Sequence, residues 1–388
     1  MSSVERTRID TERNFLDVID KVDAIDHTAV DTTHVFTVSQ VYEGLLLKMG
    51  EKGNDGGQFF TPREIIRAMV RVIDPRIGET VYDPGGGTGG FLAQSFEQMT
   101  GAGNANITSG DQLTTLQEHT FYGREKDNAV YPIALANLVL HGIDAPHIWH
   151  GNTLTATAAY DGLFVGAPPL YDVILMNPPF GGKEGKDAQT RFAYKTGATQ
   201  VLFLQHVIDS LRPPAGDALS GRCGLVIDEG VLFRTNETAF VQTKRKLLDD
   251  CDLWCIVSMP PGVFSQAGAG VKTNLLFFNK GQPTERIWYY DLSDLKVGKK
   301  TPFTLERMGD FFELVRDCRA GSAADRPDSE RSWTVTRDAI EASKYDLKAV
   351  NPHRVVEEDT RTPDDLLDEI ERQQKIIAAA IAELRGLR

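Results

Sequence analysis

From about residue 59 to 291 the chain alternates short β-branched or aromatic runs with longer stretches of helical periodicity. Thr-Val-Tyr at 80–82, Phe-Tyr at 121–122, Val-Ile-Leu-Met at 173–176 and Leu-Val-Ile at 225–227 predict strands, and the spacing between them predicts a parallel sheet covered by helices. Later runs at 253–257, 275–278 and 287–290 come with short loops, which predicts that the sheet finishes in antiparallel strands. The helix after Glu125 has Ala129, Ile133, Ala136 and Leu140 at helical spacing, so these should face the sheet, with Gly142 as the C-terminal cap.

The ends differ from this middle. Residues 1–57 mix charge with short apolar runs such as Val41 and Leu45 to Leu47, and read as one or two helices. Residues 320–335, rich in Gly, Ala, Asp, Pro and Ser, read as a mobile connector. Thr362 followed by Pro363, Asp364 and Asp365 starts a helix, and Leu366, Ile370, Ile377, Ile381 and Leu384 give it one apolar stripe. Such a face needs a partner, in its own domain or on another chain.

Composition adds limits. With 41% hydrophobic and 25% charged residues among 388, the chain can bury an ordinary core. Nothing approaches the roughly 18 consecutive apolar residues that span a bilayer, and Glu5, Arg6, Asp10 and Glu12 exclude a signal-peptide apolar region, so a bacterial cytoplasmic location and no membrane contact are expected. Cys223, Cys251, Cys255 and Cys318 are dispersed, which predicts buried thiols, with no disulfide framework and no metal site. The net charge of −13 is unusual for a protein that binds nucleic acid alone.

Candidate chemistry lies in two places. Val81-Tyr82-Asp83 is followed by Pro84 and then by Gly85, Gly86, Gly87, Thr88, Gly89 and Gly90, a loop whose backbone can approach a ligand closely. Gly85, Gly87 and Gly90 also satisfy the dinucleotide fingerprint. That fold places its ribose acid about 20 residues on, whereas Glu125 stands 42 residues after Asp83, which disfavours the dinucleotide reading without closing it. On the preferred reading Asp83 and the glycine backbone hold the methionine end of S-adenosylmethionine, and Glu125 accepts from its ribose hydroxyls.

The second place is Asn177-Pro178-Pro179-Phe180, after the predicted strand at 172–176 and 94 residues beyond Asp83. The lone pair of an adenine N6 amine is delocalised into the ring. The Asn177 side-chain oxygen and the Pro178 carbonyl could accept both N6 hydrogens, while Phe180 stacks on a flipped base. A cytosine-C5 enzyme would need a cysteine after a proline, and all four cysteines follow Arg222, Asp250, Trp254 or Asp317.

With both motifs the chain resembles the amino-group DNA methyltransferases, and among them the modification subunits of type I restriction-modification systems. Phe59-Phe60-Thr61-Pro62 is similar to the family's Phe-Thr-Pro motif, which implies that Phe60, Thr61 and Pro62 contact the cofactor; in isolation Thr61-Pro62 reads as a helix N-cap with proline behind it. Gly151-Asn152-Thr153-Leu154 resembles the segment that meets the cofactor's adenine, with Asn152 where many relatives have Asp. Gly85 and Gly86 replace the commoner Ala and Cys. Val271-Lys272-Thr273-Asn274, Tyr345-Asp346-Leu347 and Asn351-Pro352 look like later family blocks.

The resemblance implies an α/β, Rossmann-like S-adenosylmethionine-dependent methyltransferase, its mostly parallel sheet closed by an antiparallel final strand. The implied segments are a helical extension at 1–57, shorter than usual for the family, a catalytic domain at 58–318, a connector and family block at 319–361, and an assembly helix at 362–388. It further implies double-stranded DNA as substrate, a specificity subunit bound by two modification subunits, and a restriction subunit as a further partner. The loop at 181–198, with Lys183, Lys186, Arg191 and Lys195, reads equally as a phosphate contact or as a solvated loop. A glutamine-amide protein methyltransferase and a catalytically silent cofactor-binding scaffold are the competing functions.

Overall fold

In the computed structural model, which describes residues 16, 61–160, 162–215, 220–264, 272–298, 301–315, 321, 325–354 and 362–386, ten strands form one mixed sheet. They are β1 (Val81–Asp83), β2 (Phe121–Glu125), β3 (His147–Asn152), β4 (Thr157–Tyr160), β5 (Val173–Met176), β6 (Arg222–Asp228), β7 (Cys251–Ser258), β8 (Thr273–Lys280), β9 (Arg286–Asp291) and β10 (Ser332–Thr336). Their order across the sheet is β10-β9-β7-β8-β6-β5-β1-β2-β3-β4. The pairs from β3 through β2, β1 and β5 to β6 are parallel, and β10 closes the far edge antiparallel to β9. All of β5, β7 and nearly all of β8 is buried, as expected of strands covered on both faces.

The later strands bear out the expected antiparallel finish except in one pair. β8 inserts between β6 and β7 antiparallel to both, but β9 runs parallel to β7. The short connection at 281–285 reverses the chain, so β9 opposes β8 in direction and therefore matches β7, which lies between them. β5, β6 and β7 consequently point the same way and end on one edge.

Helices α1 (Arg63–Ile73), α2 (Gly90–Thr100), α3 (Gly110–Glu118) and α4 (Val130–Leu140) cover one face. On the other lie α5 (Lys186–Gln189), α6 (Thr199–Ser210), α7 (Glu229–Phe233) and α8 (Thr238–Asp250). α9 (Gly309–Leu314) packs on the first face and α10 (Arg337–Ala342) on the second.

α4 corrects the sequence reading. It turns Tyr131, Ala134, Asn137 and Leu138 inward and leaves Ala129, Ala136 and Leu140 exposed, with Ile133 half-buried. The helix is apolar on nearly every side, so spacing could not select its inner face. Gly142 does occupy the left-handed position past its end, where its N–H and that of Ile143 return to the Val139 and Leu138 carbonyls. The expected connector at 320–335 ends instead in β10, whose Trp333 stacks on Tyr289 with ring centroids 5.2 Å apart; the proposed segment 319–361 thus contains β10 and α10. Cys223, Cys251 and Cys255 are buried, and Cys318 lies outside the described residues.

A second compact unit comprises residues 352–388. Its helix α11 (Pro363–Gly386) opens on a reciprocal cap in which Thr362 N–H donates to Asp365 at 2.7 Å and Asp365 N–H donates to the Thr362 hydroxyl at 3.2 Å. Ile370, Ile377 and Ile381 are exposed on it. The side chain of Leu384, the helical extension at 1–57 and Phe60 lie outside the described residues, Leu16 apart. No described helix is long and apolar enough to cross a membrane.

At the amino edge of β6 the Arg222 side chain, 1% exposed, ties three elements together. Its Nε donates to the Ile73 carbonyl at 2.6 Å, Nη2 to the Asp74 carbonyl at 2.7 Å, and Nη1 and Nη2 form a fork on the Glu79 carboxylate at 2.7 Å each. Arg222→Met should strand two helix-end carbonyls and remove the fork on the half-buried Glu79 carboxylate, and lower stability by about 3 kcal/mol. Urea unfolding of the full chain checks this, and a midpoint unchanged from wild type would show the clamp to be dispensable.

Candidate active site

The glycine loop leaves the carboxyl end of β1 and enters α2. Gly87 and Gly89 have φ of 51° and 80°, a region that side chains with a Cβ rarely adopt. A Cβ on Gly89 would also press on the Leu138 side chain at 3.2 Å. A Cβ at Gly85 would meet only the far end of the Met176 side chain, at 2.8 Å, and one at Gly86 would sit 3.5 Å from the Arg124 carbonyl. The loop is held from outside: Gly86 N–H donates to the Arg124 carbonyl at 2.8 Å, Asn137 Nδ2 to the Thr88 carbonyl at 2.8 Å, and the Thr153 hydroxyl to the Pro84 carbonyl at 2.6 Å.

Two buried carboxyls flank this loop. Asp83 accepts from Gly85 N–H at 3.0 Å, and Glu125 accepts from Gly87 N–H at 2.9 Å and from Asp127 N–H at 2.8 Å. Burial pushes Asp83 up to about 8, against the Gly85 hydrogen bond and with Glu125 adding like-charge repulsion. Burial likewise raises Glu125. No described cation offsets either carboxyl, so a ligand bringing positive charge and hydroxyl donors fits this cradle, as S-adenosylmethionine does with its ammonium, sulfonium and ribose.

Asn177 leaves the carboxyl end of β5. Its Nδ2 donates to the Thr61 hydroxyl at 3.0 Å, while its Oδ1 is buried with no hydrogen-bond partner among the described residues. An orphaned buried acceptor costs free energy unless function uses it. Pro178 is buried, Pro179 is exposed, and Phe180 is half-buried with its ring set edge-to-face on Phe264, 5.8 Å away at 69°.

Several expectations shift here. Pro62 itself is the N-cap of α1 and makes no side-chain cap, so the isolated reading of Thr61 as the cap fails. Thr61 instead meets Asn177. Asn152 turns its Oδ1 back onto Leu154 N–H at 2.9 Å, an acceptor committed to its own turn. Phe264 was missed, although Pro260-Pro261-Gly262-Val263-Phe264 after a buried strand repeats the pattern of two prolines and an aromatic. Asn137 carries no motif that would mark it, and Thr153 lies inside the Gly151-Asn152-Thr153-Leu154 segment without being singled out. The described residues hold no cluster of potential metal ligands.

Comparison with known proteins bears on this geometry. The profile of the N-6 DNA Methylase family matches residues 33–361. The EcoEI type I restriction enzyme methylase subunit of Escherichia coli is 36% identical over 376 residues, covering 95% of this chain and 71% of that protein. The EcoKI methylase subunit of Escherichia coli K12 is 31% identical over 318 residues, so that this chain covers 57% of its length. A chain solved in a study of complex assembly and conformational transition of the type I restriction-modification system superposes with a TM-score of 0.78 at 36% identity, covering 99% of this chain and 77% of that one.

The raised Asp83 carboxyl makes stability depend on pH in a defined sense. A carboxyl raised by folding supports the folded state below the ordinary carboxylate range, and that support is lost as pH rises toward and through about 8. The melting temperature of the ligand-free chain should therefore fall between pH 5 and 9, by a few kcal/mol of stability, and Asp83→Asn should flatten the slope. Parallel slopes for the two proteins would show that Asp83 is ionised throughout.

Proposed function

The chain belongs to the N-6 DNA Methylase family, and on that premise we propose that it methylates adenine N6 in double-stranded DNA as the modification subunit of a type I restriction-modification complex. The observation that carries this reading is the buried Oδ1 of Asn177, without a hydrogen-bond partner among the described residues. It is the acceptor an amino group requires, set at the strand edge beside the glycine loop.

On this reading Asn177 Oδ1 and the Pro178 carbonyl accept the two N6 hydrogens and draw the nitrogen toward a pyramidal shape, freeing its lone pair. Bound S-adenosylmethionine supplies the electrophilic methyl and takes up the electron pair of the broken C–S bond, and an N6 proton passes to solvent. Asp83 and the backbone of Gly85, Gly87, Thr88, Gly89 and Gly90 receive the amino-acid end of the cofactor, and Glu125 its ribose. Thr61, Pro62 and Asn152 border the same cradle. Phe180 stacks on the extruded base, its ring braced edge-to-face by the buried Phe264. Since the chemistry rests on placement and polarisation, no protein group becomes covalently attached.

Asn177→Ala should lower methyl transfer by at least a hundredfold while cofactor binding persists, removing one polarising acceptor. Labelled-methyl incorporation and calorimetric titration of S-adenosylmethionine measure the two quantities. Near-normal N6-methyladenine formation by this variant would sink the mechanism.

The net charge of −13 and the exposed Ile370, Ile377 and Ile381 of α11 support an assembly in which a specificity subunit reads the sequence and supplies phosphate contacts. Two copies of this chain per specificity subunit, and a restriction subunit beside them, complete the proposed complex. Lys183, Lys186 and Lys195 are exposed on the loop after Phe180, where they could meet the phosphates flanking the flipped base. Ile377→Asp should abolish co-purification with the specificity subunit and the activity that depends on it, while cofactor affinity holds. Normal assembly by the variant would reduce α11 to packing within this chain.

A further inference from the structure

The segment from Lys183 to Ala198 follows Phe180 and two glycines, a composition that suggests a loose loop, yet it is tied down at three levels. At its neck Lys183 and Ala198 form an antiparallel bridge, Glu184 N–H donates to the Gly197 carbonyl at 2.8 Å, and Thr199 N–H donates to the Gly182 carbonyl at 3.2 Å. The Thr199 hydroxyl donates to the Glu184 carboxylate at 3.0 Å, and a Cβ at Gly182 would meet that hydroxyl at 2.5 Å, so glycine lets the two arms of the neck close. Along the flank Ala188 is fully buried and Phe192 packs against the core of the second face. Close ends with packed side chains beneath them make this a compact Ω-loop.

The third tie is Gln205 of α6, whose side chain is 1% exposed. Its Oε1 accepts from Tyr194 N–H at 3.0 Å and its Nε2 donates to the Tyr194 carbonyl at 2.9 Å. Two bonds in opposite senses reproduce one rung of a sheet ladder. They also fix the amide's orientation, because turned over it would set donor against donor and oxygen against oxygen. The ties sort the loop's charges. Glu184 is turned to the neck, while Lys183, Lys186, Arg191 and Lys195 are exposed against one exposed acid, Asp187. A chain of net charge −13 thus holds a locally basic surface on the segment that leaves Phe180.

We infer that Gln205 is a positioning residue that holds the 183–198 loop as a preformed platform for the DNA phosphates beside the flipped base. The inference rests on the phosphate contact proposed above and assigns its precision to an uncharged residue in the core. A loop ordered beforehand loses little conformational freedom when DNA arrives, so its lysines contribute to affinity without that offset. Removing the amide deletes two neutral hydrogen bonds and frees the Tyr194 backbone to turn to water, so KM for DNA should rise about 5–30-fold.

The test uses the full chain with its specificity subunit, S-adenosylmethionine at saturation, and labelled-methyl transfer to genomic DNA amplified in vitro and therefore unmethylated. Gln205→Leu should raise KM for DNA, keep kcat within about threefold of wild type because the neck beside Phe180 is untouched, and speed amide hydrogen exchange across 183–198. A second background, with Lys183, Lys186 and Lys195 all replaced by alanine, separates the platform from general loosening. There Gln205→Leu should change KM by less than about twofold, since the charges it positions are gone. Unchanged exchange in the loop, faster exchange with a wild-type KM, or the same rise in KM in both backgrounds would each overturn the inference. If Gln205→Leu lacks the cooperative melt of the wild type, Thr199→Val, which opens the neck by removing the bond to Glu184, is read in its place by exchange and KM. A triple-alanine variant with a wild-type KM would remove the phosphate contact and this inference while methyl transfer stands. A wild-type complex that transfers no methyl would remove the proposed function as well.

Discussion

One buried guanidinium holds the catalytic strand and the helix facing it in register. Arg222 begins β6, and its backbone N–H bonds the Asp172 carbonyl just before β5, while its side chain closes the end of α1 and pairs with Glu79. A helix ends in carbonyls without intrahelical partners, and burying them against a sheet would be costly without a donor. Arg222 supplies that donor in the planar fork that suits a carboxylate as well. Since α1 carries Thr61 at its other end, the clamp fixes the distance between Thr61 and Asn177 from 11 helical residues away.

The carboxyl pair shows the opposite condition, groups that the fold leaves electrostatically incomplete. Asp83 and Glu125 are 2% and 7% exposed, and their only hydrogen-bond donors in the described structure are backbone N–H groups. Burial without a counter-charge disfavours both as anions. A cationic ligand would reverse that penalty.

Topology accounts for the aromatic pair. β5 and β7 run in the same direction although β6 and β8 separate them, so both end on the edge where the glycine loop emerges. Each is followed by two prolines and then an aromatic, and Phe180 and Phe264 meet there edge-to-face. Two proline-stiffened loops approaching from different strands thus set the half-buried Phe180 ring against the buried Phe264, which braces it at the strand edge.

The sequence by itself determined the features that are local in the chain. The strands read at 80–82, 121–122, 173–176 and 225–227, the glycine loop, the Thr362 cap and the Asn-Pro-Pro-Phe turn all follow from propensity, Cβ sterics and spacing between near neighbours. What only the tertiary structure decided is long-range. The inner face of α4 depended on which of several apolar sides met the sheet, and the parallel pairing of β7 with β9 depended on β8 inserting between β6 and β7. The partner of Asn177 lies 116 residues away in sequence, and that of Phe180 on a strand-end loop 84 residues on. Motif spacing could show that Thr61 and Asn177 belong to one site, but hydrogen bonds are made by distance and direction in space, and those exist only once α1 is clamped against β5 and β6.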